Sequence, residues 1–129
     1  AWSREIAGRN QVAKQVMDLY EQQFGQPMTQ VAAGSFTAVL VLAEAVNRAG
    51  SVDPQRIRAA LLNMDVPGRE LIMPWSGVRF DNAHQNAAAA GVVEQRINGQ
   101  FRAVFPDELQ KDAKEAAVWP LSKLRQGGT

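Results

Sequence analysis

Apolar residues return every three or four positions along the first half of the chain, and every second position beyond Pro67-Gly68, so three helices should precede a set of short strands. The first helix is predicted over 10–24. Asn10 can cap it, Val12, Val16, Leu19 and Tyr20 form its apolar face, and Gly25 follows its last residue, Phe24. Tyr20 and Phe24 are expected in the core, because aromatics at helical spacing usually face inward. Thr29 is an N-cap for a second helix over 29–49, stopped by Gly50. Its middle, Phe36 to Ala43, is apolar nearly all round and needs cover on more than one side. The third helix, 53–64, opens on Asp53 as cap and Pro54 at the first helical position. Val52 and Ile57 have the spacing of a hydrophobic staple, and Ile57, Ala60, Leu61 and Met64 make the buried stripe.

Strands are predicted at about 77–81, 91–97 and 100–105. Val78 and Phe80 alternate with Gly77 and Arg79 before a turn at Asp81-Asn82. Val93, Gln95 and Ile97 share one face of the next strand, with Val92, Glu94 and Arg96 on the other. Asn98-Gly99 supplies the two positive-φ residues of a type I′ turn, so Gln100 to Phe105 should return antiparallel. Pro106 ends the hairpin, and Asp107 can cap a short helix through about Ala117, before Trp119-Pro120. Three helices in a row followed by strands is an awkward order for a complete α/β unit, which alternates the two. The order reads as an incomplete α/β fold.

Composition narrows the function. The 129 residues suffice for one domain or part of one, and their charges nearly cancel to +1. With Lys and Arg scattered, no basic footprint for nucleic acid or an anionic membrane is present. The absence of cysteine removes disulfides, thiolate nucleophiles and the usual structural zinc sites. Phe24 to Ala43 is uncharged but carries Gly25, Pro27, Gly34 and polar residues, which suits a buried helix better than a membrane span.

Catalytic constellations are scarce. His84 is the sole histidine and lies beside Asp81 and Asn82 in a turn, where histidine tolerates positive φ. No serine sits in a Gly-x-Ser-x-Gly setting, and no Gly-rich phosphate loop occurs. Asp107/Glu108 and Asp112/Glu115 share a segment with Lys111 and Lys114, the pattern of a solvated face. No catalytic residue, metal or cofactor is therefore expected, and the chain reads as a non-enzyme.

One segment stands out as a candidate binding site. Val31, Ala32, Ala33, Gly34 and Ser35 are small residues in the first turn of the second helix. Small side chains there let a ligand reach the unpaired N–H groups and the positive end of the helix dipole. They also permit close helix packing, and the residues alone leave both readings open.

The run Ser35-Phe36-Thr37-Ala38, then Val41 to Val46, then Ala49-Gly50-Ser51-Val52-Asp53, then Ile57-Arg58-Ala59-Ala60-Leu61 resembles the C-terminal region of type I periplasmic solute-binding proteins for branched-chain amino acids. Upstream, Ala13-Lys14, Tyr20, Phe24-Gly25 and Pro27 are similar to that family. Downstream, so are Pro74 to Asp81, Gln85-Asn86, Val93 to Gln95, Asn98-Gly99, Val104 and Pro106, so the resemblance covers about residues 10 to 120. Phe36 stands where the family usually has Tyr, Thr37 where Asp is common, and His84 where Gly is usual.

The resemblance implies two α/β lobes closing on a small molecule, of which this chain would be a C-terminal fragment without the parallel strands that cover the second helix. It implies an extracytoplasmic, periplasmic receptor with a signal peptide in its precursor. That receptor would bind an amino acid or related carboxylate or amide and deliver it to the membrane permease of an ABC transporter. Val31 to Ser35 would border the ligand, and an isolated fragment could self-associate through its uncovered helix. Two other readings are a ligand-sensing domain of a regulator with the same fold and a small protein–protein interaction module.

Overall fold

The structure, a computed structural model, describes residues 2–109, in two compact units that divide at Gly91. The first unit holds helices α1 (Arg4–Ala7), α2 (Gln11–Phe24), α3 (Gln30–Ala49) and α4 (Pro54–Leu62), then strands β1 (Val66–Pro67) and β2 (Gly77–Val78). The second holds β3 (Val93–Ile97) and β4 (Gln100–Phe105), followed by a 3₁₀ turn at Asp107–Leu109. The rest of the helix expected from Asp107 to Ala117, and the segment at Trp119-Pro120, lie outside the described residues.

Local chemistry sets the helix ends. The Asn10 Oδ1 accepts the N–H groups of Val12 and Ala13, Thr29 Oγ1 accepts that of Ala32, and Asp53 Oδ1 accepts those of Gln55 and Arg56. Each satisfies donors that a helix start leaves unpaired. Gly25 and Gly50 close α2 and α3 in the left-handed region, at φ 68° and 55°.

Asn10 does a second job. Its Nδ2 donates to the Leu71 carbonyl at 3.0 Å, joining the start of α2 to a loop 61 residues away. Asn10→Asp keeps the cap acceptor but removes the donor and sets a carboxylate against a carbonyl. The expected loss is about 1–3 kcal/mol in the urea unfolding of the intact protein. A variant as stable as wild type would show that the long-range bond contributes nothing.

The core of the first unit is built by α3, α4 and the short β1–β2 ladder. Ala45, Met64, Leu71 and Val78 are buried together, with Val41, Ile57, Ala60, Leu61, Trp75 and Phe80 packed against them. The third-helix stripe thus faces inward, although the helix itself stops at Leu62. β1 and β2 pair antiparallel, Val66 opposite Val78 and Pro67 opposite Gly77. Gly68 lies against this ladder, its N–H donating to the Ser76 carbonyl at 2.9 Å.

Several expectations are corrected. The strand expected at 77–81 is two residues long, with an isolated bridge from Phe80 to Asn86 beyond it. The Asn86 side chain takes the place of a strand partner: its Oδ1 accepts the Arg79 and Ala88 N–H groups, and its Nδ2 donates to the Gly77 carbonyl. Val52 is 84% exposed and staples nothing. The Ser51 hydroxyl, which accepts the Asp53 N–H at 3.1 Å, shapes the entry to α4 instead. In α2 the fully buried positions are Ala13 and Met17, while Val12, Leu19 and Phe24 are exposed. The inward face is turned one residue from the predicted one, with α1 packed against α2 and Trp2, Ile6 and Ala7 buried in that region.

In the second unit Asn98 and Gly99 take φ 51° and 80°, and Ile97 pairs with Gln100, as the two-residue turn requires. The ladder begins at Val93, and a register shift between Val93 and Glu94 leaves Val104 as an extra residue in β4. His84 sits at φ 60°. The Asp81 Oδ1 accepts the Ala83 and Gln85 N–H groups around it, and the His84 Nε2 lies 3.1 Å from the Arg58 guanidinium.

Candidate functional site

At the first turn of α3, as at helix starts generally, some backbone donors remain open. Thr29 accepts the Ala32 N–H on its hydroxyl at 3.2 Å and the Ala33 N–H on its carbonyl at 2.9 Å. The amides of Gln30 and Val31 have no partner among the described residues. Two open N–H groups at the positive end of a 20-residue helix form an electropositive spot suited to a carboxylate or a carbonyl oxygen.

The five candidate residues divide by orientation. Val31 is 78% exposed and Ser35 is exposed one turn along the same face. Ala32 and Gly34 are half-buried, and Ala33 is fully buried, its side chain facing the packed side with Thr37, whose hydroxyl donates to the Ala33 carbonyl. Gly34 is informative for a different reason. A Cβ built there meets nothing within 4 Å, so close packing within the described residues does not require glycine. A glycine inside a helix costs roughly 0.5–1 kcal/mol relative to alanine. Among the described residues the packing explanation therefore holds for Ala33 and not for Gly34.

Between α2 and α3 runs an open groove of about 750 Å³ lined by Val16, Leu19, Tyr20, Phe24, Met28 and Phe36 together with the polar Gln22 and Gln23. The Tyr20 and Phe24 rings stand 4.6 Å apart, centroid to centroid, and tilted at 43°. Phe24, assigned to the core on spacing, is 60% exposed and forms part of the groove wall. It is the last residue of α2, where the chain turns away at Gly25, and the described residues leave its ring largely uncovered. Position at a helix end was the available signal.

On its other faces α3 leaves Val39, Leu40 and Leu42 exposed, while Val41 and Ala45 pack toward α4. Among the described residues no sheet covers that apolar face. By length and composition α3 could cross a bilayer, a test that core helices of soluble proteins also pass. Among the described residues no three His, Asp or Glu side chains are grouped to hold a metal ion.

A helical unit with short strands is consistent with part of a periplasmic binding protein fold. The chain matches the family described as periplasmic binding protein over residues 2–100, and it belongs to that family, in the type I, leucine/branched-chain binding group. No curated protein matches it. Proteins of this family bind solutes for transport outside the cytoplasm and are typically not enzymes.

Proposed function

We propose that this chain is part of a periplasmic receptor that captures an amino acid or a related carboxylate or amide and hands it to the permease of an ABC transporter. In this reading Val31, Ala32, Gly34 and Ser35 border the ligand, while Ala33, fully buried, packs the turn from behind. The Gln30 and Val31 N–H groups donate to its carboxylate, and Gly34 keeps the helix surface low enough for the solute to approach. The observation that carries the reading is the pairing of open amides with a glycine that packing does not demand.

Thermal-shift measurements on the intact protein against amino acids, aromatic acids and small amides test it, with Val31→Glu as the paired variant. Glutamate in the first turn favours the helix dipole by about 0.3–1 kcal/mol, so the ligand-free melting temperature should hold or rise. Binding of a carboxylate should nonetheless weaken about tenfold or more, from repulsion of like charges. Undiminished carboxylate binding by Val31→Glu would remove the first turn of α3 from the site.

A further inference from the structure

We infer that Met17 is a positioning residue for the first turn of α3, acting through a hydrogen bond that its thioether sulfur accepts from the Met28 N–H. The contact is 3.3 Å long, buried, and spans 11 residues of sequence. Both methionines are buried, and the sulfur is the partner of the Met28 amide among the described residues. A thioether is a weak acceptor, but the alternative is a backbone N–H withdrawn from water with no acceptor at all. That asymmetry, rather than the strength of the bond, makes the sulfur matter.

Its place in the chain gives the bond its consequence. Residues 25–28 connect α2 to Thr29 through a left-handed Gly25 and through Pro27. Thr29 then holds the Ala32 and Ala33 amides, leaving those of Gln30 and Val31 open. Pinning Met28 to the buried face of α2 determines where Thr29 stands, and with it the direction in which the open amides point. The link to solute binding rests on the proposed function; the link to the geometry of the turn does not.

Leucine nearly matches methionine in volume and lacks the acceptor, so Met17→Leu separates the hydrogen bond from the packing. Amide hydrogen exchange on the intact, ligand-free protein is the measurement. Exchange at Met28, Ala32 and Ala33 should quicken together about tenfold, while the later turns of α3 and all of α4 keep their protection. Met17→Gln, which carries a carboxamide oxygen at similar reach, should restore protection at Met28 relative to leucine. Unchanged exchange at Met28, an even loss across α2, α3 and α4, or a leucine variant that does not fold would each overturn the inference, leaving Met17 as core volume only. Because no solute is present, that failure leaves the Val31→Glu test of the solute reading untouched.

Discussion

Gly68→Ala should be the most damaging single-methyl change in the described chain. A Cβ at this position would stand 2.2 Å from the Trp75 carbonyl oxygen and 2.9 Å from the Ser76 carbonyl carbon and oxygen. All three contacts are backbone atoms, which cannot rotate away as the end of a side chain can. Relief requires Gly68 to separate from Ser76, breaking their N–H to carbonyl bond and moving the β1–β2 ladder beside it. The expected cost is about 3 kcal/mol or more, at the upper end of what overpacking does. Gly34→Ala is the contrast, since its Cβ enters open space. It should stabilise by about 0.5–1 kcal/mol. Urea midpoints of the two variants in the intact protein should move in opposite directions; a Gly68→Ala midpoint equal to wild type would mean that this backbone approach is looser than described.

Met64→Ala is expected to cost about 2–5 kcal/mol, from lost apolar transfer and the cavity left behind. Met64 is 1% exposed and the largest fully buried side chain among the described residues. It lies just past the end of α4, amid Ala45, Leu71 and Val78, so its removal opens a void between the helices and the β1–β2 ladder. Met64→Leu, similar in volume, should lose less than about 1.5 kcal/mol. Thermal or urea unfolding of the pair separates volume from chemistry: equal losses for alanine and leucine would show that the site relaxes around any replacement.

The candidate site was half legible in the residues. The sequence Thr29 to Ser35 announces a capped helix whose first turn is made of small side chains, and that is what the fold contains. It could not announce that Ala33 faces inward while Val31 and Ser35 face out, because the rotation of a helix is set by what it packs against. The aromatic groove was hidden for a related reason. Periodicity places Tyr20 and Phe24 on one side of α2, yet whether that side is covered depends on α1 and α3, and neither covers Phe24.

The features that the amino-acid sequence determined by itself are those closed within a few residues. Asn10, Thr29 and Asp53 bind donors two or three positions away, and Asn98, Gly99 and His84 hold positive φ for reasons internal to their own turns. These need no distant partner, so residue type alone is enough to place them. The tertiary structure alone decided the contacts that join remote segments: Asn10 to Leu71, Met17 to Met28, the Asn86 side chain in place of a strand, and Gly68 pressed against Trp75. Their energies arise only when separate elements meet, and which residues meet is a property of the packed arrangement and not of any local stretch of chain.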